Sequence, residues 1–413
     1  MLFQGYDMAR LLVKHSRRAN SSNMRIDAGE AMNRRTVSDG RLFDTAPMHS
    51  TRPLRSTTVQ RGDRSLGWDE TWDDVLASLA VRTDARPGRV SRIDRGWSTV
   101  WFSPPSGGTA AGSGGDVVRV RNIGADVAVG DWVVVSGDGE RVEAVLPRHS
   151  AFVRRASFEG QRAESHTIAA NIDFVFLLHA IASPPNQRRL ERELVLAFDS
   201  GARPVVVLSK RDLVEDASEV ERRLESLRAV APDVEFHVVS SFTGEGLDAL
   251  RRLAAGYRTI ALLGASGVGK STVVNALVGD AVQRTEAVRE GDQRGRHTTT
   301  ATNLVALPAD PVGSAGWLID TPGVRAVSLW SSGHGIERAF SDVFDLMDHC
   351  RFRDCKHEEE PGCAVRTAID EGRLDALRLE SMKRLVAEEA ALEDEQKARL
   401  KAEDRRGFRR RKT

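Results

Sequence analysis

The sequence predicts a three-part chain: a small β-barrel, a mainly parallel α/β domain, and a short helical C-terminal part around a metal site. Three observations carry this. Short β-rich runs split by Gly, Pro and Asp turns fill residues 86–155; strands then alternate with helices to about 345; all three cysteines fall within residues 350–363. A length of 413 residues suits two to four domains, and 40% hydrophobic residues support ordinary cores. No apolar run approaches a membrane span, and Met1–Asn20 lacks the apolar stretch of a signal peptide. Clustered cysteines make no disulfide framework, so a reducing cytoplasm is expected. A monomer with no membrane partner is also expected. Net charge is +1, so basic character is local, densest in the tail Arg405–Lys412.

Residues 1–65 are rich in Arg, Ser, Asn and Met without periodicity and read as a disordered extension. An amphipathic segment, Asp69–Ala80, predicts a short helix leading into a barrel domain over 66–155. Within it, Gly88–Ile93, Ser98–Phe102, Val117–Val120 and Trp132–Val135 read as strands, interrupted by a Gly/Ser insertion at 106–115. About five short strands suit a closed barrel of the oligonucleotide-binding type, an OB-fold. Trp97, Trp101, Phe102 and Trp132 are candidate base-stacking platforms flanked by arginines, against a reading in which they fill the barrel.

From 156 to 345 the pattern is α/β. Ile172–Leu178 is an apolar run fit for a strand buried on both faces, and Pro204–Leu208, Glu235–Val239 and Gly316–Asp320 follow as strands. Gln187–Ser200, Ser218–Val230 and Leu247–Ala255 have helical spacing between them.

The chemistry centres on Gly264-Ala265-Ser266-Gly267-Val268-Gly269-Lys270-Ser271 and Thr272, between the apolar run Thr259–Leu263 and a helix-like segment. This is the phosphate loop G-x-x-x-x-G-K-[ST]: glycines let backbone N–H groups turn onto phosphates, and the helix N-terminus adds partial positive charge. Lys270 would reach the β- and γ-phosphates and Ser271 would ligate Mg²⁺. Asp320-Thr321-Pro322-Gly323 closes a strand 50 residues after Lys270. There the Asp can hold Mg²⁺ through water and the Gly323 amide can meet the γ-phosphate.

Ser209-Lys210-Arg211-Asp212 follows the strand at 204–208 and is similar to the guanine-reading motif N-K-x-D, with Ser209 in place of Asn. Ser240-Ser241-Phe242-Thr243-Gly244 is similar to the loop that meets guanine O6. Both precede the phosphate loop, whereas ordinary small GTPases carry them after it. The expected domain is therefore a circularly permuted P-loop GTPase that takes GTP and GDP over adenine nucleotides. The loop Gly291–Thr300 has the Gly and Thr content of a switch; Thr299, or alternatively Thr300, would complete the Mg²⁺ shell. Val324 cannot orient a water, which leaves His297 as the candidate, unless it is a solvated loop histidine. Gly267 stands where potassium-activated GTPases place Asn, so no K⁺ requirement is inferred.

Cys350, Cys355, His357 and Cys363 supply a complete tetrahedral set for one structural zinc ion, with His349 a competing ligand. The last domain, 346–413, is thus expected as a small α-helical zinc-binding domain, helical from Val365 to Leu400 and ending in the basic tail.

Over residues 66–380 the chain resembles the ribosome small-subunit-dependent GTPase A family. The resemblance rests on the permuted order, Gly264–Thr272, Gly295–Thr300, Asp320–Gly323 and the Cys350/Cys355/His357/Cys363 set. It implies an OB-fold, a permuted GTPase and a zinc domain, and a GTP phosphohydrolase that matures the small (30S) ribosomal subunit. It also implies rRNA-stimulated hydrolysis, departure of the factor afterwards, and His297 as the histidine that hydrolysis needs. Departures are Ser209, the N-terminal extension and the 106–115 insertion. The competing readings are an RNA-binding, translation-associated module with GTP as a structural ligand, and a metabolic phosphotransferase, which the Ser209–Asp212 and Asp320–Gly323 motifs argue against.

Overall fold

The computed structural model describes residues 60–79, 81–82, 84–94, 96–104, 116–122, 126–154, 166–279, 302–309, 315–320 and 334–410. They divide into a larger unit, Val59–Asp345 with Leu374–Thr413, and a smaller one containing Leu346–Arg373. Most of the expected N-terminal extension, the 106–115 insertion and the switch loop 291–300 lie outside the described residues.

The barrel is a ring of five strands: β1 (Arg86–Asp94), β2 (Trp97–Trp101), β3 (Val117–Arg121), β4 (Trp132–Val135) and β5 (Val142–Val145). β1 pairs antiparallel with β2 and β4, β2 with β3, and β4 with β5. A bridge between Arg121 and Arg141 joins the end of β3 to the start of β5 and closes the ring. Valines 90, 100, 120, 133, 135 and 142 fill it, as period-2 alternation of β-branched residues dictates. A bulge between Val90 and Arg92 divides the nine residues of β1, so that one half serves β4 and the other β2.

The α/β part is one sheet in the order β10-β9-β8-β11-β13-β12. Its strands are β8 (Phe174–Ala180), β9 (Arg203–Ser209), β10 (Glu235–Val238), β11 (Thr259–Gly264), β12 (Asn303–Leu307) and β13 (Gly316–Asp320). All neighbours run parallel except β12, which is antiparallel to β13. β8 is apolar along its length because both its faces are covered, and Phe174 to Leu178 are buried. The helices are α1 (Glu70–Ser78), α2 (Gln187–Asp199), α3 (Ala217–Arg228), α4 (Leu247–Ala254), α5 (Lys270–Val278), α6 (His334–Ala339), α7 (Ser341–Met347), α8 (Ala364–Asp370) and α9 (Ala376–Arg410). Asp69, Asn186 and Asp216 cap α1, α2 and α3 by accepting from backbone N–H groups of the first turn. Leu190, Leu194 and Ala197 give α2 its buried stripe.

Four boundaries differ from expectation. Residues 60–65, placed in the extension, are structured: Asp63 caps a 3₁₀ turn, Arg64–Leu66, and Leu66 is fully buried. The 155/156 division cuts a two-stranded sheet of β6 (Ala151–Arg154) and β7 (His166–Ala170). β12 lies in a stretch to which the sequence assigned no element. The segment 346–413 is not one domain, because α9 belongs with the larger unit. There Arg378, buried in the first turn of α9, pairs with Glu191 of α2 at 3.3 Å and Asp342 of α7 at 2.9 Å. Trp101 and Trp132 are 1% exposed and belong to the core, so they are not stacking platforms. Trp97 stays half-buried, with the Arg121 and Arg119 guanidinium carbons 4.9 and 5.3 Å from its ring centroid.

Several contacts among the described residues join the barrel and the α/β sheet. Arg92 of β1 pairs with Asn303 of β12. The Trp317 indole of β13 donates to Ser65 O at 3.0 Å and lies 5.5 Å from the Trp101 ring. Arg89 of β1, fully buried, donates to Leu66 O, to Gly130 O and Asn171 O at 3.4 Å, and to Thr259 Oγ1 at 2.6 Å.

Candidate active site

In a parallel sheet the carboxyl ends of the strands share one edge, and there the expected groups gather. Register puts Gly264, the last residue of β11, opposite Leu178, while Ser209 ends β9 one strand beyond. Asp320 ends β13 on the other side of β11 and pairs with Asn303.

Gly264 must be glycine, since a Cβ would lie 2.7 Å from Leu178 O. Gly269 has φ of +94°, a left-handed conformation cheap only for glycine, and from it the chain enters α5. Lys270 opens α5, and its Nζ donates to Gly264 O at 2.9 Å and Ala265 O at 2.6 Å. Burial lowers its pKa, the nearby Arg189 adds to that, and Glu193 opposes it. An anion in the loop would relieve both costs. Ser271 and Thr272 are exposed in the same first turn.

The segments expected to read the base are held against this loop. Ser209 is buried, and its hydroxyl donates to Val268 O at 2.5 Å, with His179 O 3.3 Å away. One hydroxyl thus ties the end of β9 to the phosphate loop, a tether within reach of either Ser or Asn. Lys210, left-handed at φ +61°, donates from Nζ to Gly267 O at 2.7 Å. Arg211 N donates to Val239 O at 3.1 Å, which fixes the turn after β9 to the end of β10. Asp212 is exposed, and its Oδ1 accepts from Ser240 Oγ at 2.6 Å; Ser241 follows, half-buried. His297, Thr299, Thr300 and Gly323 lie outside the described residues.

One feature of the site was not read from sequence. Glu193 of α2 is fully buried, with its Oε2 2.9 Å from His179 Nε2 and its Oε1 accepting from Arg189 Nε at 2.8 Å. The available signal was an acid inside the apolar stripe of α2. This network borders a cavity of about 270 Å³ lined by Ala265–Val268, His179, Arg189 and Arg223.

In the smaller unit, Cys350, Cys355, His357 and Cys363 bring their ligand atoms within 4.8 Å of one another, which favours His357 over His349. His357 Nδ1 lies 3.6 Å from Cys350 Sγ and 3.4 Å from Cys363 Sγ, and those two sulfurs are 3.9 Å apart. A tetrahedral ion with bonds of about 2.3 Å to sulfur and 2.0–2.1 Å to nitrogen gives edges of about 3.8 and 3.6 Å. The donor set fits zinc. Burial, together with the neighbouring thiols, pushes the Cys355 thiol up to about 12, so a cation is what would make a thiolate there at neutral pH.

The family model for the RsgA GTPase matches residues 145–330. A Streptomyces coelicolor protein named small ribosomal subunit biogenesis GTPase RsgA is 42% identical over 351 residues, spanning 84% of this chain and 92% of that protein. The chain belongs to the RsgA GTPase family. A relative of the same name from Methanosarcina acetivorans is 39% identical over 330 residues, 79% of this chain and 85% of its own length. The crystal structure of YjeQ from Thermotoga maritima shares the fold, with a TM-score of 0.52 at 23% identity over 74% of this chain and 99% of that one. As an RsgA GTPase the protein is a GTP hydrolase with GTP, GDP and Mg²⁺ as ligands, built as a permuted P-loop domain with a zinc-compatible Cys₃His cluster.

Proposed function

We propose that this RsgA-family GTPase acts late in maturation of the small ribosomal subunit, with rRNA stimulating hydrolysis and nucleotide state governing release. The observation that carries this reading is a likeness to proteins named for small-subunit biogenesis that runs through most of both chains. No helix among the described residues is long and apolar enough to cross a membrane. In this reading the factor works in the cytoplasm as a monomer.

Within the site, the Gly264–Thr272 amides and the Lys270 ammonium would hold the phosphates, and Ser271, Thr299 and Asp320 would hold Mg²⁺, Asp320 through water. Held there, Mg²⁺ would supply neutralisation of the charge that develops between the β- and γ-phosphates. The Gly323 amide meets the γ-phosphate, and His297 positions the attacking water. Asp212 accepts from guanine N1 and N2, the Lys210 stem packs on the base, Ser209 and Arg211 brace the motif, and Ser240 and Ser241 frame the O6 side. Cys350, Cys355, His357 and Cys363 hold one structural zinc. The five-strand ring is of the oligonucleotide-binding type, and Trp97 with Arg119 and Arg121 is its accessible stacking group for rRNA.

The test is GTP turnover by the whole protein with and without purified small subunits. Stimulation beyond roughly tenfold, about 1.4 kcal/mol of barrier, is expected. Measurable turnover that subunits leave unchanged would favour an RNA-binding module in which GTP is a structural ligand.

A further inference from the structure

Two large apolar side chains stand exposed beside the base-reading pair. Leu213, directly after Asp212, is 63% exposed, and Phe242, two residues after Ser240, is 90% exposed. The loop bearing Phe242 is rigidly closed. Ser240 Oγ, which donates to Asp212, accepts from Phe242 N at 3.2 Å and Thr243 N at 3.1 Å. Gly244 N donates to Ser240 O at 2.9 Å, and Ser240 N to Glu245 O at 3.0 Å. The same hydroxyl therefore fixes both the carboxylate that reads the base edge and the backbone that carries the ring. A phenyl ring held in water on an ordered turn gains most from a flat apolar partner.

We propose that Phe242 is a base-stacking residue of the GTP site, closing on the face of guanine not covered by the Lys210 stem. The inference rests on the assignment of Asp212 as the guanine reader. Lys210 reaches Gly267 of the phosphate loop, so its stem lines the span from base to phosphates on one side. Described residues offer no other exposed aromatic at this edge of the sheet. Stacking reads a π-face and not hydrogen-bond donors, so it adds affinity for the base while Asp212 supplies discrimination.

The experiment measures equilibrium affinities of the full-length protein for GDP, GTP and inorganic tripolyphosphate, using wild type, Phe242→Ala, Phe242→Trp and Asp212→Ala. Phe242→Ala is expected to weaken GDP and GTP equally, on the order of tenfold, and to leave tripolyphosphate unchanged. Phe242→Trp is expected to retain affinity, with indole emission quenched by GDP but not by tripolyphosphate. Saturated turnover should hold while KM rises, because a base contact is the same in ground and transition states. Unchanged GDP affinity in Phe242→Ala, with a loss in Asp212→Ala, overturns the stacking proposal and leaves the guanine site standing. Equal loss of GDP and tripolyphosphate overturns it as a general loop defect. If Asp212→Ala changes nothing, the guanine assignment itself falls, and the proposal with it.

Discussion

Ser209 shows how a departure from a motif can keep its physical job. Its hydroxyl ties β9 to Val268 of the phosphate loop, so Ser209→Ala should lose one hydrogen bond worth about 1 kcal/mol. Affinity for GTP and GDP should then fall together, roughly fivefold, by equilibrium titration, while Ser209→Asn stays near wild type. Glu360 offers a pH-dependent counterpart in the smaller unit. It accepts from Lys356 N at 2.8 Å and Glu358 N at 2.9 Å, and these bonds, Lys356 first, hold its carboxyl at about 2. Because its pKa is lower folded than unfolded, its stabilisation is complete above the ordinary carboxylate range and is lost as pH falls from about 4.5 towards 2. Amide-exchange protection at Lys356 should drop across that window, and Glu360→Gln should show low protection at every pH.

Among the elements, β1 is the one whose sequence hides most of its work. Its place between Gly and Asp turns made it legible as a barrel strand, and Arg89 was one of the arginines read as flanking the candidate stacking residues. In the fold it is buried, its pKa lowered by desolvation to about 10, and its guanidinium joins Leu66, Gly130, Asn171 and Thr259. Spacing cannot reveal this, because the partners are carbonyls and a hydroxyl up to 170 residues away. Arg89→Met would strand those acceptors and should cost about 2–4 kcal/mol. Urea melts followed by tryptophan emission should show a lower midpoint, with the barrel and the α/β sheet melting separately. A single transition at the wild-type midpoint would show that Arg89 does not couple them. Motifs with fixed local spacing were readable for the opposite reason: the phosphate loop and the Cys₃His set are defined within 9 and 14 consecutive residues. β12 and the buried Glu193 network were not: β12 carries no motif of its own beside its hairpin partner β13, and the Glu193 network depends on which face of α2 turns to β8, which spacing alone does not fix.

At the scale of the whole molecule, the metal cluster and the nucleotide site belong to different compact units. Leu346–Arg373 has few buried apolar side chains, Val365 and Ala368 among them, so metal binding must supply much of its folding energy. A zinc-selective chelator in excess Mg²⁺ should abolish amide protection across 346–373 and leave GDP affinity within about twofold. Loss of GDP binding under those conditions would show that the units depend on each other.

The strand order also bears on how the chain comes to be folded. In the sheet, β10-β9-β8 form one contiguous half and β11-β13-β12 the other, and β1 meets β12 at the far side. The later-made half is therefore held between two pieces of earlier-made chain. β8, buried along its length, waits for β11, which begins some 85 residues after it. At roughly 5–20 residues per second, that is on the order of 4–17 seconds of synthesis during which a hydrophobic strand edge has no neighbour. The permutation that gathers a guanine site from reordered segments thus leaves the nascent chain with an interval open to misassociation, which closes only when the phosphate loop emerges.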